Sequence, residues 1–315
     1  MCDFKIIVLA SSFLFFSSCR NDRPEVLDFK IPDHTKTVNS NDWSIRAASL
    51  NTFSINLKGK NARPRNAQIG IDISELDIDI IGFQESYQVL AKNILQKNSN
   101  LKFKKYFSAP GTLGSGNLIL SKNKFTGNSF YYHLLMGEID NIEFWSGKGI
   151  GKVSFIHNDL LVSFFNLHLI SRKGSESDEW EDANTTDRLI ELFEVFSQLV
   201  EQSDSDAFIV VGDFNMNIYN HEYDFFKKLT SLEGTLFQEQ NINACTFCSD
   251  NTFNVRDEGQ LDYIFVSPRL KIETSWIDFK NKIYIKDLES NLSDHYGVVT
   301  DIKISEKTSS KDINH

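Results

Sequence analysis

Short apolar runs, rich in β-branched and aromatic residues and ending in polar ones, recur along most of this chain. "DIDIIGFQE", with Ile80, Ile81 and Phe83 in a nearly unbroken apolar block, reads as a buried strand. "SIRAASLNTF" before it, and "GNLILSK", "GKVSFIH", "LLVSFFNLHLI", "AFIVVGDF", "LDYIFVS" and "YGVVTDIKI" after it, carry the same signature. Between them, "TTDRLIELFEVFSQLVEQ" spaces Leu189, Leu192, Phe193, Phe196 and Val200 as one face of an amphipathic helix, with Thr185 or Thr186 as its cap. "ESYQVLAKNILQKN" repeats the pattern more weakly. Many strands with few helices predict an α/β four-layer sandwich, two packed mixed β-sheets flanked by helices.

From Trp43 onward there is no internal repeat or low-complexity break, so residues 43–305 are expected to form one domain. Residues 19–42, polar and carrying Pro24 and Pro32, read as a tether, and 306–315 as a flexible tail. The N-terminal "MCDFKIIVLASSFLFFSSC" is apolar from Ile6 to Phe16, too short to span a bilayer but suited to a signal peptide over 1–18. Its "FSSC" end resembles a bacterial lipoprotein signal, in which cleavage leaves the Cys19 thiol for lipid attachment. Phe16 and Asp3 depart from that pattern, and a plain secretory signal is the alternative. The mature protein is thus expected to be exported, either as a cell-surface or outer-membrane lipoprotein or as a secreted protein, with no transmembrane span. "CTFC" holds Cys245 and Cys248 as a small bridge or as free thiols, since no further ligands stand at zinc spacing.

Polar residues gather at the downstream ends of the strands or just beside them. They are Asn51, then Gln84 and Glu85, His168, Asp213 and Asn215, Asp262, and finally Asp294 and His295. A sheet brings such ends to one rim, where binding sites tend to lie. Oxygen ligands from Glu85, Asn51 and Asp294 suit a hard divalent ion such as Mg²⁺. His295 suits a general base, Asp262 its orienting partner, and Asp213 a residue that positions water. Asn215 and His168 can donate hydrogen bonds to phosphate oxygens. Each residue alone has a plainer reading. Asp213 and Asn215 are common turn formers, and Glu85 fits a helix N-terminus. His168 fits a core histidine, and "SDHY" fits a loop.

Taken in order, "LNTF", "DIIGFQE", "NLHLIS", "GDFN", "LDYIFV" and "SDHYG" resemble the endonuclease/exonuclease/phosphatase superfamily over about residues 43–304. The resemblance implies a two-sheet sandwich and Mg²⁺-dependent phosphoester cleavage, another divalent ion being an alternative. It implies metal binding by Glu85 and Asn51, phosphate contact by His168 and Asn215, and water positioning by Asp213. It makes His295 the base, Asp262 its orienter and Asp294 a neighbour of the metal. Within the superfamily the chain is most similar to neutral, bacterial-type sphingomyelinases, through "GSGNLILSKNKF", the Lys148-Gly149 pair and the "DRLIELFEVFSQL" helix. Lys148 read by itself is equally a solvated turn lysine. Ile170 stands where that subfamily tends to have Gln, and no exposed apolar hairpin is evident. The implied substrate is a phospholipid at a membrane surface, sphingomyelin, cleaved to ceramide and phosphocholine. The alternative is an exported metal-dependent nuclease or another phosphoesterase of the same superfamily, the nuclease being disfavoured by a net charge of −10 from 43 acidic and 33 basic residues. A non-catalytic binding module ranks below both, because Glu85, Asp213, Asn215 and His295 are all present.

Overall fold

The computed structural model describes residues 3–9, 12–18, 43–55, 61–109, 112–134, 142–172, 184–202, 205–235, 237, 244–254 and 259–305. The tether, Cys19 and the tail lie outside these residues. The chain divides into two compact units, Met1–Asp33 and His34–His315. In the first, β1 (Asp3–Leu9) pairs antiparallel with β2 (Ser12–Ser18), from Asp3 opposite Ser18 to Leu9 opposite Ser12.

The second unit contains two six-stranded mixed sheets. One is drawn from both ends of the unit and is termed the terminal sheet. Its strands are β3 (Ser44–Asn51), β4 (Ile80–Gln84), β5 (Phe103–Tyr106), β6 (Leu118–Ser121), β13 (Leu270–Asp278) and β16 (Gly297–Ile304), in the order β13-β16-β3-β4-β6-β5. The other comes wholly from the intervening segment and is termed the middle sheet. Its strands are β7 (Phe125–His133), β8 (Gly149–His157), β9 (Leu160–His168), β10 (Ala207–Asp213), β11 (Glu233–Gly234) and β12 (Asp262–Val266), in the order β11-β12-β10-β9-β8-β7. Each sheet has one parallel pair at its centre, β3 with β4 and β9 with β10. Helix α1 (Ala62–Glu75) makes the first crossover, and α4 (Thr185–Glu201) makes the second. Helices α2 (Val89–Asn98) and α5 (His221–Thr230) follow the two pairs, and a single turn, α3 (Ile142–Trp145), precedes β8. The expected sandwich is therefore present. Its two halves repeat one topology although the sequence shows no repeat.

Strand side chains alternate between faces, and the faces differ. Toward the other sheet β3 presents Ile45 and Ala47, then the polar Ser49 and Asn51. The same progression runs through Ile80 to Gln84 on β4 and through Val162 and Phe164 to Asn166 and His168 on β9. On β10 it runs from Ile209 and Val211 to Asp213, and on β12 from Val266 and Ile264 back to Asp262. The space between the sheets is thus apolar through most of its depth and polar at one mouth. The opposite face of the terminal sheet, with Ala48, Leu50, Ile81 and Phe83, packs on Ile69 and Ile73 of α1 and Leu95 of α2. The two helices approach closely at Gly70, where a Cβ would lie 2.5 Å from the Leu95 carbonyl oxygen.

Several expectations are corrected. Helix α4 begins at Thr185, so neither threonine precedes it as a cap, and Asn184 stands there instead. Its buried stripe is Arg188, Glu191, Leu192, Val195, Gln198 and Leu199, while Phe193 is exposed, because burial follows ion pairing as well as hydrophobicity. Helices α1 and α5 and strands β5, β7 and β13 carried no apolar pattern strong enough to be read. An exposed hairpin is also present. It consists of β14 (Lys282–Ile285) and β15 (Leu288–Asn291), with Tyr284 and Leu288 exposed among charged neighbours.

Candidate active site

Strand register alone assembles much of the rim. Asp213, the last residue of β10, lies between His168 of β9 and Asp262 of β12 as their direct cross-strand partner. Across the mouth, Asn51 of β3 pairs in register with Gln84 of β4. The sheets are joined here by polar side chains. Asn51 Nδ2 donates to Asp213 Oδ2 at 3.1 Å. One layer deeper, Gln84 Nε2 donates to Asn166 Oδ1 at 2.6 Å, and Asn166 Nδ2 donates to the Phe83 carbonyl at 2.8 Å and to Asn117 Oδ1 at 3.0 Å. Neither Asn117 nor Asn166 was singled out from sequence. The signal for Asn166 is its place two residues before His168, on the same strand face.

The loop between β15 and β16 brings in the distant residues. Ser293 Oγ donates to the Asn51 carbonyl at 2.6 Å, which ties this loop to the end of β3. His295 follows, with Nδ1 2.8 Å from Asp262 Oδ2 and Nε2 3.8 Å from Asp213 Oδ2. His168 Nε2 reaches the same Asp213 oxygen at 3.5 Å. Asn215, in left-handed backbone at φ 52°, donates its side-chain amide to the Leu169 carbonyl at 2.9 Å and its backbone N–H to Asp213 Oδ1 at 3.0 Å. That geometry is the expected turn, and the turn holds the Asp213 carboxylate. Lys148 is no solvated lysine. It is buried, and its Nζ donates to Leu169 O at 3.1 Å.

Glu85 lies beyond the end of β4 in left-handed backbone, φ 53°, four residues before α2 begins. The helix-terminus reading therefore does not apply. The residue is half-buried, and its enclosed Oε2 has no hydrogen-bond partner among the described residues. Burial first, and then the charge of Asp294, push its pKa to about 8, against the opposing pull of Lys148 and His295. Burial also raises Asp294, and it lifts Asp213 to about 6. Burial by itself would lower His295, but Asp262, Asp213 and Asp294 outweigh it and hold the imidazole well above its ordinary value. His168 goes the other way. Burial, Lys148 and His295 keep it well below its ordinary value and therefore neutral.

Arg65 of α1 is a further member that the sequence did not reveal. Fully buried, it donates to the carbonyls of Thr52 at 2.9 Å and Phe53 at 2.6 Å, and to that of Leu292 at 2.5 Å. It thus links the segment after β3 to the one that carries Asp294. Burial lowers its pKa to about 10, and Asp294 and Glu85 oppose that shift.

Two groups have the chemistry of a cation site. Asp213, Asp262 and His295 bring one ligand atom each within 4.8 Å of one another. In that trio, however, the His295 ring nitrogen nearest Asp262 is already engaged in a hydrogen bond. Glu85 and Asp294 also fit an ion, as two mutually repelling half-buried carboxylates, with Glu85 Oε2 lacking a hydrogen-bond partner among the described residues. Asn51 Oδ1 accepts from the Phe53 N–H at 3.0 Å and keeps one lone pair for such an ion.

The family model for the "Endonuclease/Exonuclease/phosphatase family" matches residues 48–295. A Drosophila melanogaster protein named "Putative neutral sphingomyelinase" is 25% identical over 273 residues, which cover 81% of this chain and 60% of that protein. This chain therefore spans less than two thirds of that relative. Among solved structures, D. rerio TDP2 in complex with a single-strand DNA product aligns with TM-score 0.64 at 15% identity, covering 83% of this chain and 100% of that one. Sphingomyelinase C from Streptomyces griseocarneus aligns with TM-score 0.60 at 15% identity, covering 82% and 99%. Those likenesses are of fold. With the model match extending from β3 to His295, the chain belongs to the endonuclease/exonuclease/phosphatase family.

Proposed function

We propose that the protein is a metal-dependent phosphodiesterase that hydrolyses a phospholipid head group, releasing phosphocholine and ceramide from sphingomyelin. The observation that carries this reading is the His295–Asp262 pair at 2.8 Å, whose free imidazole edge points toward Asp213. Asp213 accepts a hydrogen bond from the attacking water, and His295 Nε2 takes that water's proton. The oxygen adds to phosphorus as the bond from phosphorus to the ceramide oxygen breaks, and the departing oxygen then takes up a proton. Asp262 stabilises the imidazolium formed on the way. Neutral His168, Asn215 and Lys148 stabilise charge on the phosphoryl oxygens. A Mg²⁺ or similar ion held by Glu85, Asp294 and Asn51 would supply a Lewis acid and offset the carboxylate charge that otherwise keeps His295 protonated.

The similarity to a Drosophila melanogaster protein bearing the sphingomyelinase name supports the lipid substrate, as does the net charge of −10, which is unfavourable for holding nucleic acid. No helix among the described residues is long and apolar enough to cross a membrane. The leader sequence supports export, with anchoring through lipid on Cys19. Protein beginning at residue 20 is to be assayed with Mg²⁺ on sphingomyelin, phosphatidylcholine and plasmid DNA in parallel. Phosphocholine release from sphingomyelin, silenced by EDTA, is the expected result. DNA cleavage without lipid hydrolysis would overturn the substrate, and full activity in EDTA would overturn the metal requirement.

A further inference from the structure

Asp262 opens a strand of the middle sheet, whereas His295 sits in the loop entering β16 of the terminal sheet. Their 2.8 Å contact therefore depends on something that fixes two separate backbones against each other. The "CTFC" segment is placed to do this. Thr246 is fully buried, and its Oγ1 accepts from the backbone N–H of Leu261 at 2.9 Å and of Asp262 at 3.2 Å. Its carbonyl accepts from the N–H of Tyr296, the residue after His295, at 2.7 Å. The next residue, Phe247, lays its ring 5.1 Å from the His295 ring, centroid to centroid, at 52°. Phe247 also exchanges both backbone hydrogen bonds with Gly259, at 3.0 and 3.1 Å. Cys245 and Cys248 are bonded to each other and close the segment around these two residues. Beyond the bridge, Asn251 Nδ2 donates to the Ser293 carbonyl at 2.8 Å, a second hold on the His295 loop.

We propose that Thr246 and Phe247 are positioning residues for the His295–Asp262 pair, and that the Cys245–Cys248 bridge keeps them in place. One hydroxyl and one carbonyl of a single residue hold the backbones of both partners, and the neighbouring ring limits tilting of the imidazole. The proposal rests on His295 acting as the base and Asp262 as its orienter. A small displacement between a base and its partner is enough to slow proton transfer by roughly 10- to 100-fold.

The first test does not require turnover. The proton on His295 Nδ1, shared with Asp262, is followed by NMR in the wild type and in Thr246→Val, Thr246→Ser, Phe247→Leu and the Cys245→Ser/Cys248→Ser double variant. Circular dichroism and melting temperature check the fold of each. The resonance is expected to be sharp in the wild type and in Thr246→Ser, which keeps the hydroxyl acceptor. It should broaden or exchange faster in folded Thr246→Val, Phe247→Leu and the double cysteine variant. An unchanged resonance in the folded variants would overturn the proposal, whether or not the enzyme reading holds. The second test is kinetic, on sphingomyelin. Thr246→Val is expected to lower kcat about 10- to 100-fold with KM within about twofold, and Thr246→Ser to restore it. In an Asp262→Asn background the same Thr246→Val change should cost little, because its route of action has been removed. An equal loss in both backgrounds would overturn the positioning role. His295→Ala with wild-type turnover would instead sink the enzyme reading and leave the NMR result to decide the clamp.

Discussion

Both Glu85 and His295 have raised pKa values at one cluster of carboxylates, Glu85 through burial first and then Asp294, and His295 through Asp262, Asp213 and Asp294 against the opposing effect of burial. The consequences differ, since Glu85 gains a proton that a cation must displace, whereas His295 holds one that it must lose to act as a base. His295→Ala is expected to lower kcat by about 10²- to 10⁴-fold with the melting temperature unchanged, and near-normal turnover would remove its role. Glu85→Gln keeps the shape and removes a carboxyl that must take up a proton on folding when no cation is bound. In EDTA that variant should melt above the wild type, and in Mg²⁺ the order should reverse, as read by thermal unfolding in the two buffers. At this scale the sequence was informative where a polar residue ended an apolar run, as at Asp213 and His168. It was silent on Arg65, because an arginine within a helical stretch ordinarily reads as solvated, and only the carbonyls of Thr52, Phe53 and Leu292 reveal its buried task.

Helices were the elements least legible in advance, for a physical reason. The inner face of α1 is Ala62, Arg65, Asn66, Ile69, Asp72 and Ile73, correctly spaced for a helix but half polar. Helix α5 buries Glu222 beside Tyr223 and Phe226. A reading that looks for apolar periodicity passes over such faces. In α4 it selects the wrong stripe, because Arg188 points inward to Glu222, with Nε and Nη2 at 2.9 and 2.7 Å from one carboxylate oxygen. Both partners are fully or nearly fully buried. Arg188→Met leaves Glu222 charged and without its cation, and is expected to cost about 3–5 kcal/mol in urea unfolding. Adding Glu222→Met should recover most of that loss, and failure to do so would mean that the pair acts through more than its own charges.

At the scale of the whole domain, the end of the sandwich away from the candidate site is closed by a histidine that does no chemistry. His157, the last residue of β8, faces the Ser44 carbonyl through Nε2 at 2.8 Å and Asn123 Nδ2 through Nδ1 at 3.2 Å. An amide donor on Nδ1 and a carbonyl on Nε2 suit the neutral ring only. Burial lowers the His157 pKa, outweighing the Ser44 carbonyl. The unfolded chain therefore binds a proton near the ordinary value of 6.5, while the folded chain does not until lower pH. Stability from this residue is present above pH 6.5 and is lost as pH falls from there to the lower folded value. The difference in urea midpoint between pH 7.5 and pH 5.5 should be smaller in His157→Gln than in the wild type, and an equal difference would exclude this source. The four-layer sandwich was readable from the alternation of strands and helices. The twofold repetition of its topology was not, because the halves share only a pattern of connections, with Asn51 and His168 ending equivalent strands. The middle sheet comes from one uninterrupted stretch, while the terminal sheet waits for β16, the last strand, to lie against β3. His295 enters with that last strand. During refolding, catalytic competence should therefore return after most of the secondary structure has formed, which makes turnover a clock for the closing step of the chain.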